Sequence, residues 1–157
     1  MELLTLEEKA VNYDTLRHIE AVRNLLDQVV VELLNRGKQH DQTKMENPER
    51  QSFMEFTPKL KESTFGSPEY NNFLVEMKPA LDHHYRTYRH HPEHNSRGID
   101  DMNLIDIIEM FCDWKASSMR HNDGNILKSI EISRTRFNMS DQLVNIFKNT
   151  AVILEQK

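Results

Sequence analysis

The segment Asp82 to His94, with the sequence DHHYRTYRHHPEH, holds five of the eight histidines of the chain within thirteen residues. Neutral imidazole binds zinc, iron, manganese, cobalt and nickel, and a single cysteine excludes a thiolate cage. A metal site here would be built from histidine and carboxylate ligands. Sites of this composition are usually catalytic. The alternative is a solvated helix end rich in histidine, since histidine clusters without fixed spacing are weak signals of a site.

The spacing within this segment does not decide which of its histidines would bind a metal ion. His84 and His91 are seven residues apart, which on a continuous helix places them on one face but roughly 10 Å apart. Two ligands of one ion, each bonded at about 2.1 Å, cannot be that distant. Either they serve different ions, or the chain bends before Pro92 and folds back. The other histidines that could take their place are His83, His90 and His94.

Further metal-suited residues occur elsewhere in the chain. His18 lies at the edge of an apolar helical stripe, where a lone histidine usually packs in the core. The adjacent pair His40-Asp41 can offer an imidazole and a carboxylate to one ion, with the second carboxylate oxygen free for another. Asp113 lies inside an apolar sequence, so its carboxylate needs a partner. Asp106 and Glu109, two turns and one turn before it, could support Asp113, but a solvated face is the expected role of both.

Apolar residues at helical spacing predict an all-α fold in a single domain spanning residues 1–157. Thr5 and Glu8 form a capping box that can open a short helix, but the stronger start is Asp14. The apolar stripe that follows, from Ile19 to Leu34, predicts a long helix with a buried face, ending at Gly37.

Proline and serine residues set the predicted bounds of the middle helices. Asn47-Pro48-Glu49 opens a helix that Pro58 limits, and residues 59–67 are predicted to form a loop. Ser67-Pro68 caps the next helix, which Pro79 breaks near Lys78, and the segment that follows ends at about His90.

Three further helices are predicted in the last third of the chain. Asp100 or Asp101 caps an apolar helix that ends around residues 121–124, and Cys112 within it is expected to be a small buried hydrophobe. The next helix covers about 125–136, and the last is capped by Ser140 and runs to the C-terminus.

Composition and charge limit the classes of molecule that the protein is expected to bind. The formal charge is −5 and the basic residues form no dense block, so duplex nucleic acid is a poor candidate. The chain lacks an apolar run of membrane-spanning length, and its acidic N-terminus is unlike a signal peptide, which predicts a cytoplasmic protein without a membrane partner. A small anionic substrate is compatible with a bound divalent metal. Assembly into a homo-oligomer is left open.

Taken in order, His18, His40-Asp41, His84, His91 and Asp113 resemble the ligand series of the HD-domain superfamily of metal-dependent phosphohydrolases. Arg17-His18 is similar to the opening helix of those proteins, and FCDWKAS around Asp113 is similar to the helix that delivers their last aspartate. HDQTK followed by NPE, then HHPEH, resembles a family of small phage and bacterial HD-like proteins. The likeness covers roughly 17–116, although the gap between His18 and His40 is short for an HD domain.

The resemblance implies a helical core holding one or two divalent ions, which could be Mn, Fe, Co, Ni, Zn or Mg. It implies hydrolysis of a small phosphorylated molecule, a nucleotide or another phosphoester, by a metal-activated water. Asp41 would bridge the ions. Lys44, Arg86 and Arg89 are candidate phosphate contacts, as is Arg17, and Glu93 is a candidate orienting residue or proton shuttle. The alternatives are a di-iron oxygenase, which uses the same ligand types, and a non-catalytic metal-stabilised binding protein.

Overall fold

The computed structural model describes residues 5–120 and 124–155, and every regular element in these ranges is a helix. The predicted all-α fold is confirmed. The α-helices are α1 (Leu6–Gln39), α2 (Glu49–Glu62), α3 (Pro68–Glu76), α4 (Lys78–Thr87), α5 (Leu104–Arg120), α6 (Ile126–Phe137) and α7 (Asp141–Glu155). Short 3₁₀ turns occupy Gln42–Met45, Pro92–His94 and Gly98–Asp101. None of the helices in the described ranges has the length and apolar composition needed to cross a bilayer.

The chain divides into two compact units, Met1–Lys38 and Gln39–Lys157. In the first unit, the backbone N–H of Thr5 donates to the Glu8 carboxylate at 2.7 Å, and the N–H of Glu8 donates to the Thr5 hydroxyl at 3.2 Å. This capping box opens one continuous helix, so the predicted start at Asp14 and end at Gly37 were wrong. A glycine inside a helix costs only about 1 kcal/mol relative to alanine, which does not end the helix here.

The apolar stripe of α1 was predicted to be buried, and it is not. Ile19 is 40% exposed and Leu25 61% exposed, and α1 contains no buried residue. A helix needs another element against which to bury its apolar face. In the described part of the first unit α1 is the sole regular element, so nothing within that unit covers the stripe.

In the second unit, α2 continues through Pro58 to Glu62, so the predicted stop and the predicted loop from residue 59 were wrong. A proline removes one intrahelical hydrogen bond, and tertiary packing of the helix, in which Phe56 is 6% exposed, outweighs that loss. The Ser67 hydroxyl caps α3 by accepting the N–H of Tyr70 at 3.1 Å, as predicted. The predicted break near Lys78 is confirmed.

The hydrophobic core is formed by α5, α6 and α7. Phe111 of α5 stacks on Phe147 of α7 at 5.3 Å between ring centroids. The Trp114 ring packs edge-on against Phe147 at 5.6 Å. The other buried members of this cluster are Met110, Ile126, Ile130, Met139, Val144 and Ala151. One face of α5 is therefore fixed in the core, which holds its acidic residues in defined positions.

Two details of α5 differ from the prediction. Its N-terminus is capped by Asn103, whose side chain accepts the N–H of Asp106 at 3.0 Å while Asp106 accepts the N–H of Asn103 at 3.1 Å. Asp101 instead binds Arg97 and Ser96 in the preceding turn. Cys112 is exposed, because it lies on the side of α5 opposite the core. The predicted end of this helix, at residues 121–124, falls mostly outside the described residues.

Candidate metal centre

The dipeptide His40-Asp41 lies in the turn directly after α1. Asp41 adopts the left-handed backbone conformation, with φ 58° and ψ 16°, and a 3₁₀ turn follows at Gln42–Met45. Aspartate is one of the few residues other than glycine that tolerate this region. The turn directs the carboxylate of Asp41 towards α4 and α5, where His84 and Asp113 lie.

The chain folds back after α4, which brings His84 and His91 together. The helix ends at Thr87, and the residues that follow turn before Pro92. The ring of His91 lies 4.8 Å from that of His84, and the ring of His90 lies 4.1 Å from that of His91. Of the two arrangements compatible with the seven-residue spacing, the structure has the folded one, in which both histidines can serve one ion.

Asp41, His84, His90 and His91 form a group of four potential ligands, whose donor atoms all lie within 4.8 Å of one another. Asp41 Oδ1 is 3.1 Å from His84 Nε2 and 3.6 Å from His90 Nε2. Donor atoms bonded to one ion at about 2.1 Å lie roughly 3.0–3.4 Å apart, close to these separations.

The same four residues present buried polar atoms that lack a hydrogen-bond partner among the described residues. Four of these atoms are Asp41 Oδ1 and the Nε2 atoms of His84, His90 and His91, and a fifth is His90 Nδ1. Asp41 Oδ1 and His84 Nε2 are close, but their geometry is not that of a hydrogen bond. Leaving four such atoms unsatisfied is costly, and a cation shared by all four would satisfy them. The set fits a divalent ion.

The second oxygen of Asp41 faces a different set of residues. Asp41 Oδ2 lies 3.3 Å from His40 Nε2, which in turn lies 3.7 Å from Asp113 Oδ1. His40, Asp41 and Asp113 form a second potential ligand group. Asp41 therefore belongs to two adjoining groups through its two oxygens, the arrangement of a carboxylate able to bridge two ions.

Two buried glutamates fix the orientation of the imidazoles. Glu49, fully buried on α2, accepts hydrogen bonds from His84 Nδ1 at 2.9 Å and from His83 Nδ1 at 2.7 Å. Glu109 of α5 accepts from His40 Nδ1 at 3.0 Å and lies 3.0 Å from His90 Nδ1. A carboxylate on Nδ1 sets the tautomer and leaves Nε2 as the metal-binding atom. Glu109 also forms a third possible ligand group with these two histidines.

The protonation states of His91 and Asp41 suit cation binding, whereas His40 carries a proton. Burial, and then the neighbouring His90 and His84, lower the pKa of His91 to about 2, so its ring is neutral. Burial tends to raise the pKa of Asp41, but the neighbouring rings of His40 and His84 and the Lys44 ammonium hold that pKa well below its usual range. The neighbouring carboxylates of Asp113, Asp41 and Glu109 raise the pKa of His40 to about 11. His40 thus holds a proton that a metal ion could replace.

Of the residues predicted to contact the substrate, some lie beside the ligand groups and others do not. Lys44 donates to Asp41 Oδ2 at 2.5 Å and lines a cavity beside the ligands, together with Glu93. Glu93 pairs with Arg136. The guanidinium of Arg89 binds the buried carboxylate of Asp106 at 3.0 Å, and Arg86 is exposed on α4. Arg17 and His18 are exposed on α1, in the first unit.

The sequence did not indicate Glu49, placed two buried acids on a solvated face, and left His90 as one of several possible ligands. Asp106 and Glu109 were expected in solvent, yet their side chains are 0% and 8% exposed. The spacing held a signal for Glu109, because it lies one turn before Asp113 and so shares its face of α5. Glu49 lies 35 positions from His84, and no local pattern connects them. His90 could not be told from its neighbours because all are the same residue type.

A family model described as "Family of unknown function (DUF5662)" matches residues 7–155. The chain belongs to that family. No curated protein and no solved structure matches the chain. For this DUF5662 member, the ligand groups in the second unit are therefore the basis for any functional proposal, and they could hold a metal ion.

Proposed function

We propose that this DUF5662 protein is a metal-dependent phosphohydrolase of the HD type, acting on a nucleotide or another small phosphoester. The observation that carries the proposal is the position of Asp41, which is shared between two adjoining ligand groups beside a cavity lined by lysine and arginine side chains. Paired, carboxylate-bridged sites are typical of hydrolytic phosphoester chemistry.

A bound divalent ion would supply Lewis acidity and make water a stronger nucleophile near neutral pH. The residues of the chain prepare the site for it. Glu49 and Glu109 hold the Nε2 atoms of His84 and His40 towards Asp41 before any ligand arrives. Orientation fixed in advance avoids reorganisation during the reaction.

Cationic side chains near the ligands suit a phosphate. The ammonium of Lys44, held at Asp41 and 4.8 Å from the centre of the Phe53 ring, lines the cavity next to the metal ligands. Lysine cannot ligate a metal while charged, so its role would be to attract substrate oxygens. Arg136 also lines the cavity, and its pairing with Glu93 keeps its guanidinium in place.

The test combines metal analysis with a substrate panel. The purified protein should retain a transition metal, and with Mn²⁺, Co²⁺ or Mg²⁺ it should hydrolyse p-nitrophenyl phosphate or a nucleotide. The variant His91→Gln should lose metal and turnover together, because its Nε2 is one of the four converging atoms. The matched variant is His94→Gln. In the parent protein, His94 Nδ1 is not one of the four converging atoms and donates to the backbone carbonyl of Tyr85. This variant should keep both properties.

The alternatives give different results in the same experiment. Iron content with oxygen consumption and no phosphoester turnover would identify a di-iron oxygenase. Bound metal without any turnover would identify a binding protein. Turnover that survives both exhaustive chelation and the His91→Gln substitution would refute a metal-dependent hydrolase.

A further inference from the structure

A cavity of about 790 Å³ lies beside the metal ligands, and all of the residues that line it belong to the second unit. Its wall includes His84, His91 and Asp113 and extends to Leu127 and Ile132 of α6. Small-molecule sites usually have volumes of about 300–1,000 Å³. The cavity is therefore large enough for an organic group attached to a phosphate, and not only for the phosphate.

Most of the wall is apolar or aromatic. Trp114 stacks on Phe137 at 6.1 Å with an angle of 5° between the ring planes, and Phe65 packs edge-on against Tyr70 at 5.2 Å. All four rings line the cavity. Burial raises the pKa of Tyr70, so its phenol stays neutral. These surfaces favour contact with an apolar or aromatic body over contact with a strongly hydrated one.

The charged residues of the wall favour an anion. Five lysine and arginine side chains face the cavity against three carboxylates. Each of the three carboxylates already pairs with a cation or a histidine. By contrast, Lys61 and Lys128 have no ion-pair partner among the described residues, and both are exposed at the wall. They can attract a ligand anion without first breaking an ion pair.

Several polar groups of the wall are already engaged with the backbone. The Ser118 hydroxyl donates to the carbonyl of Lys115 at 2.8 Å, and the Ser129 hydroxyl donates to that of Asn125 at 3.2 Å. The Asn125 side chain caps α6 by accepting the N–H of Leu127 at 2.8 Å. Recognition of a nucleobase requires free donors and acceptors that match its edge. The hydroxyl protons of Ser118 and Ser129 and the side-chain oxygen of Asn125 are therefore already used within the protein.

We propose that the cavity binds an organic anion with an apolar body, and that the substrate class is a phosphate monoester of an alkyl or aryl alcohol rather than a nucleotide. The phosphate would lie towards Asp113 and Lys44, with the apolar body against Trp114 and Ile132. This assignment rests on the proposed phosphohydrolase function, which it narrows. The binding experiment is independent of turnover.

Trp114 provides the measurement, because it is the single tryptophan of the chain and it lines the cavity. Octylphosphonate, methylphosphonate and adenosine 5′-phosphate are titrated into the full chain, with and without Mn²⁺, while tryptophan emission is followed. Octylphosphonate should shift the emission saturably and bind at least about 10-fold more tightly than either of the others, since each buried methylene adds to its affinity.

Matched variants locate the binding. Ile132→Gln places a polar group in the wall at a residue that is 38% exposed, so folding should tolerate it. It should weaken octylphosphonate by about 5-fold or more, on the scale of the lost apolar contact. Ile146→Gln, at a 51% exposed position of α7 outside the cavity, should leave the affinity unchanged. Lys128→Gln should weaken all the anions, whereas Lys9→Gln on α1 should weaken none.

The outcomes separate the two proposals. Adenosine 5′-phosphate binding as tightly as octylphosphonate, or an Ile132→Gln affinity equal to that of Ile146→Gln, would overturn the ligand class. Hydrolysis that prefers nucleotides over 1-naphthyl phosphate would also overturn it, while supporting phosphohydrolase activity. Tight octylphosphonate binding without hydrolysis of any phosphoester would support the ligand class and refute the hydrolase.

Discussion

The orientation of His84 depends on Glu49, and the substitution Glu49→Gln tests this dependence. The Glu49 carboxylate accepts three hydrogen bonds, from the Thr43 hydroxyl and His83 at Oε1 and from His84 at Oε2. A glutamine can keep its carbonyl oxygen at the Oε1 position. Its amide group would then face the Nδ1–H of His84, placing two donors against each other.

The mismatch has two measurable costs. Loss of one buried, charge-assisted hydrogen bond should lower the free energy of unfolding by about 1.5–3 kcal/mol. His84 can recover a hydrogen bond by moving its proton to Nε2, but that nitrogen then cannot bind metal. The metal affinity should therefore fall by about 10–100-fold, the usual effect of removing a carboxylate that orients a ligand.

The assays are urea unfolding and metal competition against a coloured chelator. The control is Glu55→Gln, on the same helix, where an exposed carboxylate pairs with Lys59 at 2.8 Å. The control should change neither quantity measurably. Metal affinity in Glu49→Gln within a factor of about two of the parent would refute the view that this carboxylate sets the His84 tautomer.

Three further predictions follow from the second unit. Asp41→Asn keeps a side chain that tolerates the left-handed backbone but removes the anion, so metal stoichiometry should fall while Asp82→Asn, at an exposed ion pair, retains it. Tyr70 has a raised pKa through burial, so the stability that it contributes is present below about pH 10 and is lost as the pH rises through the folded pKa. Absorbance at 295 nm should show a late phenolate fraction, to which Tyr85 also contributes because burial raises its pKa, and Tyr70→Phe should reduce that fraction; a single transition of all tyrosines near pH 10 would contradict this. Arg89→Gln should cost about 1–3 kcal/mol of unfolding free energy with KM unchanged, since its guanidinium holds the buried Asp106 carboxylate, and a large KM increase would instead make it a substrate contact. Arg97→Gln, in an exposed pair, should leave the melting temperature at the parental value.

The sequence was sufficient where a local rule decides the structure. Proline and capping residues gave the start of α3 and the break before α4, because their effects act within one helical turn. The pairing of His84 with His91 required a choice between two arrangements, and only the fold could make it. At Pro58 the local preference for a helix end does not decide the structure, because α2 continues through it.

The site residues likewise divide into those predicted from the sequence and those revealed only by tertiary contacts. His40 and Asp41 were predicted as ligands from the resemblance, and Asp113 also from its context, since an aspartate in an apolar helix needs a partner; the three form one potential ligand group. Glu49 and Glu109 were not predicted as site residues, because glutamate is common on helix surfaces and only tertiary contacts reveal that these two are buried. A single sequence holds no information that links Glu49 to a histidine 35 positions away.

The left-handed backbone of Asp41 restricts which amino acids can occupy that position. Glycine and asparagine accept a φ of 58°, but neither brings a charge. Glutamate brings the charge, but it lacks the short side chain that makes this conformation tolerable, and its extra methylene moves the carboxylate away from both groups of histidines. In a library randomised at codon 41 and selected for metal retention, aspartate should be the one residue recovered.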